Sequence, residues 1–133
     1  MWSYLGKYRD FGLLALRLGV GVMFLFHGWP KLIGGPDQWT ALGGAVGYLG
    51  IHLFPMFWGL MAAVSELFGG VCLILGVVFR PACLLLVCTM AVAATMHFGR
   101  GDSLQTASHA IELGFVFFGL LFVGPGRFGF GRG

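Results

Sequence analysis

Apolar residues run along this chain in four long blocks separated by short polar breaks: Phe11 to Trp29, Phe54 to Val78, Pro81 to Phe98 and Ser108 to Val123. Each comes close to the ~20 helical residues that cross a ~30 Å hydrocarbon layer. Such a layer offers a backbone no water, so each block must bond its own N–H and C=O groups, and each is therefore read as a helix. The breaks agree. Trp29-Pro30 is expected to end the first helix, Pro55 to open the second, Arg80-Pro81 to make a tight reversal, and Gly124-Pro125-Gly126 to stop the fourth. The predicted fold is an all-α membrane protein, a single four-transmembrane-helix bundle over residues 1–133. Residues 30–53 form the one long connection, Gly-rich and carrying Trp39, Tyr48 and His52. A connection of that length is usually a lid or an interfacial segment, and Trp39 to Tyr48 reads as a short half-inserted helix.

Composition sharpens this picture. With 58% hydrophobic and 10% charged residues, the chain lies far from soluble domains, about a quarter of whose residues are charged. The net charge of +3 is spread thinly, which suits loops beside anionic lipid and argues against nucleic acid as a partner. Lys7, Arg9, Arg80, Arg127 and Arg132 fall on one side of the predicted bundle and only Lys31 and Arg100 on the other, so both termini are expected in the cytoplasm. Lys7 and Arg9 before an apolar run resemble a signal peptide, but no small-residue cleavage site follows, so the segment is kept as the first helix. Trp2, Tyr4 and Tyr8 suit one interfacial belt and Trp29, Trp39, Tyr48 and Trp58 the other. Cys72, Cys83 and Cys88 sit in apolar runs without CxxC spacing and read as small buried hydrophobes.

Small residues four apart, Ala15/Gly19, Gly59/Ala63 and Ala110/Gly114, are expected where helices approach closely. Gly69 and Gly70 lie one turn below Glu66 and are read as room for a ligand to reach the backbone as well as for packing. A weak duplication also emerges. His27, Lys31, Glu66-Leu67 and Arg80 in the first half match His97, Arg100, Glu112-Leu113 and Arg127 in the second, which suggests two parallel helix-hairpin repeats. Chance similarity in apolar sequence is the rival reading.

Charges inside a bilayer are costly unless paired or hydrated. Arg17, Glu66 and Glu112 fall within the predicted spans, with His27, His97 and His109 nearer the outer surface. At ~1.5 Å rise per residue both glutamates lie ~21 Å above the arginines that end their helices, so carboxylates and imidazoles converge at one depth. These six residues form the candidate intramembrane ligand or proton site. Two readings of Arg17 compete: an ion pair with Glu66 or Glu112 that fixes helix order, or part of a site in which a glutamate exchanges protons through His. The latter suits a quinone head group or a gated polar solute. The paired Glu and Glu-x-x-His pattern of di-iron bundles is absent and no metal is assigned; nor is there a P-loop, a dinucleotide motif or a CxxCH haem site.

Arg17 with Gly21, His27-Gly28-Trp29 followed by Lys31, Pro55, Glu66 with Gly69-Gly70 and Gly76, Arg80, His97, Glu112, and the closing Gly124-Pro125-Gly126-Arg127-Phe128 together resemble the DoxX family of small bacterial membrane proteins. The likeness covers nearly the whole chain; the tail Gly129-Phe130-Gly131-Arg132-Gly133 departs from relatives that continue with a Ser and an Asp. The resemblance implies a multi-pass protein of the bacterial inner membrane, related to the small membrane subunit of thiosulfate:quinone oxidoreductase. The expectation is a membrane subunit or anchor of a redox assembly, as a homo-oligomer or beside a partner, with no intrinsic cofactor and a quinone as candidate ligand. The alternatives are a small-solute or proton-coupled carrier and a purely structural membrane subunit. Whether the chain is itself catalytic stays open.

Overall fold

The computed structural model describes residues 2–131, and every regular element among them is helical. Arg132, counted with the basic residues of the predicted inner end, lies outside them. A 3-10 turn over Trp2–Tyr8 leads into α1 (Arg9–Ile33); α2 (Pro36–Gly43) and a second 3-10 turn (Gly44–Leu49) follow, then α3 (Pro55–Leu75), α4 (Phe79–Gly99) and α5 (Leu104–Val123). Helices α1, α3, α4 and α5 are the four long and apolar enough to cross a membrane. Helix α1 packs mainly on α3 and α4 mainly on α5, while α3 against α4 joins the two pairs. Between them lies a core of Phe24, Leu73, Phe79, Cys83, Leu86 and Phe117.

Several boundaries differ from the sequence expectation. Helix α1 runs through Pro30 to Ile33. A proline near a helix end removes one backbone bond there, and the end is capped instead by Trp39, whose Nε1 donates to the Lys31 carbonyl at 3.0 Å and the Leu32 carbonyl at 3.2 Å. Helix α3 stops at Leu75, before the expected Val78, because Gly76 takes the left-handed conformation that closes helices, with φ 67° and its N–H on the Cys72 carbonyl. Helix α5 starts at Leu104, not Ser108; Ser103 is its N-cap, accepting from the Thr106 N–H at 3.3 Å. The expected interfacial helix exists but begins earlier, at Pro36, and ends as a 3-10 turn.

Close helix contacts also fall partly elsewhere. Gly59 and Ala63 are buried as expected: a methyl on Gly59 would collide with the Trp39 carbonyl, so α2 lies directly on α3. Gly69 and Gly70 are packing sites, not ligand space. Leu86 fills the room over Gly69, and a methyl on Gly70 would meet the Gly21 carbonyl oxygen at 2.8 Å. Gly19 has nothing within 4 Å and Gly114 only ordinary contact with Met90, so neither joins helices closely. Each faces an open groove, between α1 and α5 or between α4 and α5. Cys72 and Cys83 are buried, but Cys88 is exposed on α4.

Candidate functional site

Arg17 is 1% exposed and touches neither glutamate. Its guanidinium donates to the carbonyls of Leu73 at 2.8 Å, Ile74 at 3.1 Å and Pro125 at 3.1 Å, and also to that of Phe128. Leu73 and Ile74 belong to the last turn of α3, where free carbonyls and the negative dipole end favour a cation. The side chain therefore caps α3 and ties the C-terminal segment to it. Around this end Arg80 donates to the Leu121 carbonyl at 2.9 Å, and Arg127 lies 3.9 Å from Asp10. We call this the basic end of the bundle.

Glu66 lies near the middle of α3, two turns before the carbonyls of that helix that Arg17 binds. It is 4% exposed, and its Oε1 accepts from Lys31 Nζ at 2.7 Å. Lys31 thus turns into the protein from the end of α1; in the sequence it marked orientation, the suggested repeat and the family resemblance but not the candidate site. The second oxygen, Oε2, is buried with no hydrogen-bond partner. A buried acceptor left unbonded costs ~1–3 kcal/mol, more when charged, so such an atom calls for an explanation.

A cavity adjoins the Glu66 side chain. It measures about 350 Å³ and is bounded by α3, α4 and the α2 segment, with Lys31, Ser65, Glu66 and Thr89 as its polar members. The rest is apolar and includes Leu42, Val46, Trp58, Met61, Val92 and Met96. The Thr89 hydroxyl donates to the Leu85 carbonyl of its own helix at 2.9 Å, so Lys31 and Glu66 are the charged pair that any occupant meets. Trp58, expected in an interfacial belt, also lines this space. The α2 segment roofs it, and glycines of positive φ, Gly35 and Gly50 (each 87°), flank the roof.

The remaining candidates separate. His97 leaves the expected cluster and pairs with Asp102 in the α4–α5 turn at 2.9 Å, and Arg100 adds a bond of 3.1 Å. The His97 hydrogen bond, helped by Arg100, holds the Asp102 carboxyl below the usual carboxylate range. His27 and His109 are exposed, with ring centroids 6.1 Å apart. They head a groove of about 390 Å³ between α1 and α5. Glu112 is exposed on α5 and has no hydrogen-bond or ion-pair partner among the described residues. The two glutamates, expected at one site, face different surroundings. This also weakens the suggested repeat: the hairpin pairing of α1 with α3 and α4 with α5 is common to both halves, but Glu66 binds Lys31 while Arg100 binds Asp102 rather than Glu112. No group of three metal-ligating side chains occurs among the described residues.

A helical chain with four membrane-length helices and a roofed, mainly apolar cavity beside one part-buried ion pair is a multi-pass membrane protein. The DoxX family model matches residues 12–98, and an uncharacterized protein of Haemophilus influenzae is 36% identical over 121 residues, 90% of this chain and 84% of the relative. The chain belongs to the DoxX family. No solved structure matches it.

Proposed function

We propose that this chain is a membrane subunit of a redox assembly in the bacterial inner membrane, and that it binds a quinone or quinol head group in the cavity beside Glu66. The observation that carries the reading is Glu66, whose buried Oε2 has no partner and whose side chain lines a mainly apolar cavity together with Lys31. The volume falls at the low end of the ~300–1,000 Å³ of small-molecule sites, which favours a ring over a whole isoprenoid lipid. A quinol hydroxyl can donate to Oε2, and a quinone carbonyl can accept from Lys31 Nζ. The pair thus offers complementary groups to both oxidation states of one ligand.

A carrier would need access to the site from both ends. Arg17, held by four carbonyls, and the fully buried Leu73, Phe79 and Cys83 lie toward the basic end, which favours a site entered from the roofed side only. A purely structural subunit would leave Oε2 unexplained.

The test uses the full chain in nanodiscs, titrated with a short-chain ubiquinone analogue and with its quinol, and read by quenching of Trp58 fluorescence against a W58F control. Saturable binding is expected. Glu66→Gln should weaken the quinol at least tenfold, since an amide whose oxygen serves Lys31 presents only N–H groups to the ligand. Lys31→Met should weaken the quinone more than the quinol. Non-saturable quenching, or a Glu66→Gln variant that binds both forms normally, would remove the reading.

A further inference from the structure

Glu112 poses a separate problem. It is the ninth residue of α5, ~12 Å from the helix start, and it is exposed on a membrane-spanning helix. A carboxyl facing hydrocarbon is expensive whether or not it carries its proton, because either form needs a hydrogen-bond partner. None exists within the chain among the described residues.

The same side of the molecule carries two groups that could supply one. His109 lies one turn before Glu112 on the same helix face. The ring of His27, on α1, lies 6.1 Å from that of His109, centroid to centroid, and sits ~9 Å from the same end of the bundle. Both imidazoles are exposed. The α1 and α5 backbones do not close this side, as their Cα traces never come within 8 Å. The face therefore holds an unmet acceptor and unmet donors at nearly one depth. That is the condition for self-complementarity about a two-fold axis, where each group meets its complement on the other copy. Gly119, two turns below Glu112, has open space where a side chain would stand and lets a second helix approach.

We infer that the α1–α5 face is the interface of a parallel homodimer in the membrane, in which Glu112 of each copy hydrogen-bonds the imidazoles of His27 and His109 of the other. The observations favour a second copy over an unrelated subunit because donors and acceptor lie side by side on one surface.

Cross-linking of the full chain in native membranes tests this. In a Cys88→Ser background, which leaves only the two buried thiols, Gly119→Cys should oxidise to a disulfide-linked dimer, while Leu84→Cys on the exposed side of α4 should not. Adding Glu112→Leu to Gly119→Cys should cut the cross-linked fraction about tenfold; Glu112→Gln, which keeps a hydrogen-bonding side chain, should cut it less. The inference is overturned if Gly119→Cys links no more than Leu84→Cys, if it links to a different protein, or if Glu112→Leu leaves the yield unchanged. The Gly119→Cys result stands even should Glu112→Leu fail to fold. Trp58 quenching by quinol is unaffected by loss of the dimer, so the two readings fail separately.

Discussion

Arg17 and Glu66 are both buried charges, 1% and 4% exposed, the first at the basic end of the packed α1–α3 pair and the second near the middle of α3, and the protein satisfies them in opposite ways. Around Arg17 four backbone carbonyls converge, and no cavity is needed to accommodate it. Around Glu66 one lysine binds one oxygen, the second oxygen has no partner, and an apolar cavity lies alongside. Burial is nearly equal, so burial does not separate them. What does is how completely the group is bonded: backbone carbonyls saturate the Arg17 guanidinium, whereas the Glu66 carboxylate is bonded through one oxygen only, and the proposed ligand site rests on that difference.

The contrast breaks most easily at Arg17. Replacing it with Met should leave carbonyls of α3 and of the C-terminal segment unbonded in the interior, a loss of ~4 kcal/mol or more in unfolding free energy. Arg17→Lys keeps the charge but not the planar fork, so it should recover only part of this. Denaturation in mixed micelles checks both, and an Arg17→Met protein as stable as the parent would mean that the basic end is held by other contacts. Next in size comes the roof of the cavity. Because a methyl on Gly59 would collide with the Trp39 carbonyl, Gly59→Ala should push α2 off α3 at ~3 kcal/mol and open the cavity. Faster solvent quenching of Trp58 would report the opening; an unchanged rate would show that the roof tolerates displacement.

The sequence revealed these two regions unequally, for physical reasons. Four long apolar blocks can only be helices in lipid, so the bundle was legible from hydropathy alone. Arg17 and Glu66 stood out because charges are rare in such blocks. Their partners did not. Arg17 binds backbone carbonyls, which every residue possesses, so no residue type marks its acceptors. Lys31 lies at a helix end, where a lysine ordinarily reaches out to water; that it turns inward depends on α2 folding over it, which local pattern does not encode. Equal depth along separate helices suggested that His97 and Glu112 join Glu66, but depth leaves rotation about each helix axis free. Rotation points Glu112 outward, and Asp102, in a short polar turn outside the apolar blocks, takes His97. The Ser103 N-cap was visible in principle, as a serine just ahead of a helical run.

The comparison sharpens further at the Lys31–Glu66 pair. Lys31→Met strands a buried carboxylate and should cost ~2 kcal/mol, the partial exposure of the lysine keeping the figure below that of a fully enclosed pair. Glu66→Gln should cost under ~1 kcal/mol, and Lys31→Met with Glu66→Leu should be near neutral, since removing both partners strands neither. A site kept for a ligand predicts this pattern, in which stability is indifferent to the pair while binding is lost. If the double variant were instead as unstable as Arg17→Met, the pair would be architecture like Arg17, and the distinction between the two sites would fall.

The smallest effect belongs to Asp102, whose ion pairs lie in a turn open to solvent. Its carboxyl is held below its ordinary value near 3.8, chiefly by the His97 hydrogen bond. A depressed folded-state value means that the deprotonated form binds the fold more tightly. The contribution is therefore complete above the ordinary value and disappears as pH falls through it toward the lowered one. Acid titration of stability should show a shallow loss beginning below about pH 4, and Asp102→Asn should remove that part of the slope while changing neutral-pH stability little. His97→Ala should remove most of that slope and leave the part that Arg100 supplies. A Glu66→Gln protein should keep the Asp102 slope intact. Were Glu66→Gln to flatten it instead, the turn and the cavity would be coupled through α4, and His97 would return to the site from which its geometry separates it.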